Sequence, residues 1–244
     1  IYANYQLITI GVASGVAIFY GSITASIGNI IATEPKEKTL QYFYTISHHY
    51  LLAIGALCGT LILVFTDLIN LLFSKAQTFG MSTIIFLGIS QYAYYSRRIT
   101  LTFESGYGIY WEDRFKPLFE VFVNILASVI LAKFMGLNGV ILGTILSNIG
   151  GPLWIEIKVL FKHGFQHSPF KFAKDFILCF TSTVLATFTS MLCYSFLPTG
   201  HLIVKIILII LISLIIHLFF AYCFFPKKTT KAIKTIFFKI RGLS

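Results

Sequence analysis

The sequence predicts an all-α fold, a polytopic transmembrane helix bundle of about seven spans. Three observations carry that prediction. Hydrophobic residues make up 57% of the 244 and charged residues only 11%, with a mean hydropathy of +0.83, whereas a soluble domain is nearer a quarter charged. A core of ordinary size cannot hide so much apolar surface, so lipid must be part of the solvent. The apolar residues fall into seven runs, each about long enough to cross ~30 Å of hydrocarbon at 1.5 Å per residue. Finally, basic residues alternate from one connection to the next. Of the 19 Lys and Arg, one set of connections holds only Lys75, Lys133 and Lys205, leaving 19 − 3 = 16 for the other set and the C-terminus. The bias places the long loops and the C-terminus in the cytoplasm and residue 1 outside, in the inner (cytoplasmic) membrane of a cell.

The runs are not alike. The first, 6–32, ends in "SITASIGNIIATEPKEK", where Ser22, Ser26 and Asn29 form a small polar edge. Asn29 suits either a cavity wall or an interfacial helix end. The second, 47–73, opens with two His at the cytoplasmic boundary, and 79–97 closes on Arg97 and Arg98. The fourth, 117–134, starts at Pro117, whose missing N–H is harmless in a first helical turn. Within it Glu120, Asn124 and Ser128 recur every four residues and make one polar stripe on an oily helix. Glu120 lies about one turn in, favoured by the helix dipole. Asn124 lies deeper, where an unpartnered amide costs several kcal/mol. The stripe must therefore face another helix or a water-filled cavity rather than acyl chains.

The fifth run, 139–160, carries Gly139, Gly143, Ser147 and Gly151 at strict four-residue spacing, a small-residue ridge for close helix approach. The short "GLNG" at 136–139 folds runs four and five into a hairpin, and "GGP" at 150–152 should kink the fifth, with Gly151 and Pro152 as packing or hinge residues. The runs at 173–197 and 203–225 are more generic. The last is apolar all round except for His217 and is expected to be lipid-facing or peripheral, with His217 a packed or snorkelling residue rather than a ligand. The tail 226–244 changes register: Ile233, Ile236, Phe237 and Ile240 alternate with lysines, the pattern of an amphipathic helix on an anionic inner leaflet. The net charge of +10 is thus read as topology and membrane contact, with membrane lipids rather than nucleic acid as the partner.

Chemistry-bearing motifs are scarce. His163 and His167 form an HxxxH in a basic loop without a general-base Glu, which argues against a zinc site. Cys58, Cys179, Cys193 and Cys223 sit singly in apolar runs and read as small hydrophobes. No phosphate-binding glycine loop, nucleophile elbow or acidic metal cluster is present, so neither catalysis nor a cofactor is expected. Arg97, Arg98, Arg114 and Lys116 cluster at one cytoplasmic mouth, as topology requires or as a funnel for an anionic substrate. Residue 1 is Ile, with no basic leader or cleavage site before the first run, which suggests a chain lacking its N-terminal part.

The block "GIYWEDRFKPLFEVFVNILASVILAKFMGLNGVILGTILSN" (108–148) resembles the C-terminal half of bacterial polysaccharide flippases, exporters of O-antigen and capsular repeat units, in the superfamily of the multidrug extruders. The matching residues include Gly108, Trp111, Asp113, Arg114, Lys116, Pro117, Glu120, Asn124, Ser128, Gly136, Gly139, Gly143 and Thr144. The stretch 2–34, with Gly28, Asn29 and Glu34, is similar to the helix and loop that precede that block in the family. The resemblance implies two pseudosymmetric six-helix lobes, often with two further helices. Residues 1–160 would then be five helices of the second lobe, 161–225 the two additional spans and 226–244 the basic tail. It implies translocation of an undecaprenyl-diphosphate-linked oligosaccharide by alternating access against a missing N-terminal lobe. On that reading Asn29, Arg98, Arg114, Glu120, Asn124 and Ser128 line the cavity. Glu120 is a coupling carboxylate or, favoured by its shallow depth, a salt-bridge partner for Arg98 or Arg114.

Three alternatives compete. An ion-coupled multidrug or cation antiporter of the same superfamily would place acids deep in its spans, whereas Glu120, Asp67 and Glu156 lie near the ends. A membrane polymerase or acyltransferase needs a large external loop, and the external connections are short. A membrane scaffold has no distinguishing signature.

Overall fold

The structure is a computed structural model and describes residues 2–73, 78–197, 201–226 and 228. All regular structure among the described residues is helical: α1 (Tyr2–Thr33), α2 (Lys36–Phe73), α3 (Met81–Gly106), α4 (Lys116–Met135), α5 (Leu137–Ile149), α6 (Pro152–Val159), a π-helical turn (Leu160–Phe165), α7 (Phe170–Tyr194) and α8 (Leu202–Phe224). Six stretches are long and apolar enough to cross a bilayer: α1, α2, α4, Leu137–Phe165, α7 and α8. The less apolar α3 runs between the same two ends of the bundle. The chain is a polytopic α-helical membrane protein.

Two aromatic clusters mark those ends. At one, Phe43 of α2 packs edge-on or tilted against Phe103, Phe161, Phe165 and Phe172, and His48 meets the ring of Phe225. This end collects the α1–α2 turn, the α3–α4 loop and the exit of α8. At the other end Tyr5 packs on Phe65 and Phe79, and Asp67 meets Tyr194 and Lys205. The polar and apolar connections of the sequence thus sort to opposite ends, as expected for alternating crossings.

The boundaries differ from the expected ones where buried residues extend a helix past its apolar run. The hydrophilic loop expected at 33–46 shrinks to Glu34 and Pro35, because Lys36–Phe73 is one continuous helix. Its 38 residues span about 57 Å at 1.5 Å each, well beyond the hydrocarbon thickness. The loop expected at 98–116 loses its first half to α3, whose final turns bury Ile99, Thr100, Phe103 and Glu104. The predicted kink at 150–152 is a full break between α5 and α6, with Pro152 in the first turn of the new helix. The amphipathic tail at 233–240 lies outside the described residues.

Small residues set the close approaches. At the α4–α5 hairpin Gly136 adopts φ +56°, a left-handed turn open to glycine at little cost. A Cβ on Gly139 would meet the α4 backbone 2.7 Å from Ala132 N, and one on Gly143 would lie 2.7 Å from Ser128 Cα. The expected ridge is a packing surface, extended by Gly151, whose Cβ would strike Phe119. A second such contact was not anticipated: Gly55 and Gly59 of α2 lie against Thr183 and Thr187 of α7. Through it α7 and α8 pack directly on α2.

His217 is packed inside the bundle, the first of the two roles expected for it. Its Nδ1 lies 2.8 Å from Ser213 O, its Nε2 is 3.4 Å from Thr187 Oγ1, and Ser213 Oγ is 2.8 Å from Thr60 Oγ1. Cys58 and Cys179 are buried as expected, whereas Cys193 is half-buried and Cys223 is exposed.

Candidate functional site

The two consecutive arginines of α3 leave the helix on different faces, since one residue turns the direction by about 100°. Arg97, only 6% exposed, turns inward. Its Nε donates to both oxygens of Glu156 (3.1 and 3.2 Å) and its Nη2 to Glu156 Oε1 (2.5 Å). The guanidinium also takes Glu120 in a two-pronged pair, Nη1 to Oε1 at 2.7 Å and Nη2 to Oε2 at 2.9 Å, and donates to Asn148 Oδ1 at 2.7 Å. One planar fork therefore joins α3 to α4, α5 and α6. Arginine suits this role because its five donors lie in fixed directions and it keeps its charge when buried.

Lys116 extends the cluster. Its ammonium bridges Asp113, Glu156 (3.3 Å) and Glu104 (3.6 Å). Four carboxyl groups thus surround two cations, and Glu104 Oε1 is buried with no hydrogen-bond partner. Glu156 is fully buried, so the arrangement persists only because each cation serves several acceptors at once.

These contacts correct several sequence expectations. Glu120 does pair with an arginine, but with Arg97, not with Arg98 or Arg114. Asn124 turns away from lipid, as its depth required, but toward a helix rather than a cavity: its Nδ2 donates to Ser147 Oγ at 2.9 Å. Ser128 Oγ lies 3.3 Å from Val140 O and 3.5 Å from Asn124 Oδ1. The stripe forms a polar seam along the α4–α5 hairpin. Nor do the four basic residues form one funnel. Arg97 and Lys116 are committed to internal carboxylates, and Arg114 sits on the outer α3–α4 loop against its own neighbours. His163 and His167 are exposed.

Arg98 opens a different site. It faces a cleft of about 360 Å³ between α1 and α3, lined by Ile10, Ala13, Ser14, Val16, Ala17, Tyr20, Tyr94 and Tyr95. Its guanidinium lies 4.7 Å over the Tyr94 ring and donates to that phenol. Tyr20, from α1, donates to the Arg98 carbonyl. Among the described residues Arg98 has no carboxylate partner, so its charge is balanced only by phenols and π-faces. A half-buried guanidinium so placed suits an anion with oxygen acceptors.

Asn29 lies exposed on α1, further along the same helix. The outer face of α1 mixes small and polar residues, Ser14, Gly15, Thr24, Gly28 and Asn29, with exposed Leu7, Ile10 and Ile18, and there is open space beyond the glycines at 11, 15, 21 and 28.

Sequence reasoning missed Glu104, Asn148 and Glu156 as partners of the basic residues. The one signal for Glu156 is its place between apolar neighbours in "LWIEIKV", since a carboxylate there cannot stay unpaired.

The fold and these contacts define the class: a multi-pass helical membrane protein with a buried ion knot beside an arginine-bearing cleft. Comparison with known proteins finds no protein-family profile, no curated protein and no solved structure that matches this chain.

Proposed function

We propose that the chain forms one lobe of an alternating-access transporter for an anionic, lipid-linked oligosaccharide, an undecaprenyl-diphosphate-linked repeat unit of the O-antigen or capsule type. The observation that carries this reading is Arg98, a cation without an ion-pair partner among the described residues, set in a cleft with the phenols of Tyr20, Tyr94 and Tyr95. Diphosphate oxygens complement the guanidinium, and phenol rings and hydroxyls suit sugars. The outward face of α1 supports it as well. Its exposed glycines, Ser14 and Asn29, set among Leu7, Ile10 and Ile18, suit close packing along a passage shared with a second lobe.

In this arrangement the end carrying the basic loops faces the cytoplasm, where the substrate is assembled. The ion knot around Arg97 holds the far side of the lobe rigid while α1 and Arg98 meet substrate. Asn29 extends the polar path along α1.

The test is Arg98→Gln in the complete transporter, in cells that make the polysaccharide. Surface polysaccharide is expected to fall at least tenfold with unchanged amounts of protein in the membrane, since a phosphate-guanidinium contact contributes roughly 1.5–3 kcal/mol. Arg98→Lys should restore part of the export. Normal export in the Arg98→Gln strain would overturn the assignment.

A further inference from the structure

The α3–α4 loop builds a second cationic feature that the transport reading does not use. Arg114 is exposed and carries no ion pair among the described residues, although Glu112 and Asp113 precede it. Asp113 is committed to Lys116. The Arg114 guanidinium is held between two rings, 4.0 Å from the centroid of Trp111 and 4.7 Å from that of Phe115. Its Nη1 donates to Trp111 O at 2.7 Å. One donor therefore fixes the fork, the rings fix its plane, and the remaining N–H groups are left for a ligand.

The surroundings say what that ligand is. Trp111 is 72% exposed, Phe115 66%, Leu118 69% and Phe122 65%, and the last two continue down α4 in a stripe with Ile125 and Val129. Ile109, by contrast, is buried and anchors the loop. An exposed indole and phenol (Trp111, Tyr110) at a helix entrance, above an unbroken apolar stripe, is the pattern of a headgroup-level anchor. Adding a preorganised guanidinium at that level makes a phosphate site with an acyl-chain track beneath it.

We propose that Trp111, Arg114 and Phe115 form a binding site for one anionic phospholipid, its phosphate on the Arg114 guanidinium and an acyl chain along Leu118, Phe122 and Ile125. The occupant is a bulk phospholipid such as phosphatidylglycerol, not the transported lipid, because the site lies on the outer face of α4 and not in the α1–α3 cleft. It does not depend on the transport assignment.

Only two tryptophans occur in the chain, so Trp154→Phe leaves Trp111 as sole reporter. In vesicles of phosphatidylcholine containing a minor fraction of acyl-brominated lipid, Trp111 fluorescence is expected to be quenched roughly fivefold more effectively by brominated phosphatidylglycerol than by brominated phosphatidylcholine. Arg114→Gln in that background should abolish the preference while leaving helical content unchanged. Equal quenching by the two lipids, or a preference that survives Arg114→Gln, overturns the proposal. If Trp154→Phe impairs folding, native mass spectrometry of the otherwise unsubstituted chain decides instead. Arg114→Gln should carry one fewer tightly bound phosphatidylglycerol, and an unchanged lipid count overturns the site.

Discussion

Removing the arginine at the centre of the ion knot should be among the most destabilising single changes in the chain. Arg97→Met keeps most of the side-chain volume but deletes six hydrogen bonds to Glu120, Asn148 and Glu156. Glu120 is partly exposed and can find water. Glu156 is fully buried and keeps only Lys116, which already serves Asp113 and Glu104. Loss of one partner from a buried pair costs about 3–5 kcal/mol, roughly a 200- to 5,000-fold shift toward the unfolded state. The assay is reversible unfolding in mixed micelles of mild detergent and dodecyl sulfate. Arg97→Met/Glu156→Gln should recover at least half of the loss, because the uncompensated charge is gone even though the hydrogen bonds are not restored. A single-mutant loss below about 1 kcal/mol, or a double mutant no more stable than the single, refutes the claim that the knot is an obligatory ionic unit.

Other substitutions probe packing and the opposite end of the bundle. Gly143→Val places a side chain against the backbone of Ser128 and should cost at least about 1–3 kcal/mol. Gly15→Val, which faces open space, should change stability by less than about 0.5 kcal/mol. Comparable losses at both positions, in the same unfolding assay, would remove the distinction between packed and open glycines. Lys205→Met strands the buried carboxylate of Asp67 with only the Tyr194 phenol, 3.1 Å away, a loss of about 1–3 kcal/mol. Asp67→Asn in that background should restore most of it, measured as the midpoint of thermal unfolding.

The fold was largely legible because one signal, alternation of apolar runs with basic and non-basic connections, reports crossings directly. The hairpin of α4 and α5 was legible too, since glycines every four residues leave few other uses. The ends of α2 and α3 were not. Their outer turns bury residues such as Phe43 and Phe103 in an aromatic cluster assembled from four helices, and the local sequence there is polar enough to pass for loop. The contact of Gly55 and Gly59 with α7 leaves no such signal, because the glycines lie inside a run that already reads as helix.

At the site, the sequence showed that Asn124 must turn inward and left Glu120 as a coupling carboxylate or a salt-bridge partner for Arg98 or Arg114. It did not single out Arg97, which supplies the cation, from Arg98 and Arg114. Those candidates differ by the direction in which each side chain leaves its backbone, and that depends on how three helices are rotated about their own axes. Glu156 decides the matter by claiming Arg97, from a helix whose orientation follows the break at Gly150 and Gly151.

The knot has a mechanical meaning for the bundle. A single guanidinium clasping partners on three neighbouring rods makes α3, α4, α5 and α6 travel together, because sliding any one past the others would tear ionic contacts out of a dry interior. The first helix is moored to α3 more lightly, by the phenol of Tyr20 on the Arg98 carbonyl and by contacts interrupted by a cleft. Flexing within the bundle should therefore concentrate at that joint, and spin labels on α3 and α6 should hold a constant separation while a pair spanning α1 and α3 broadens.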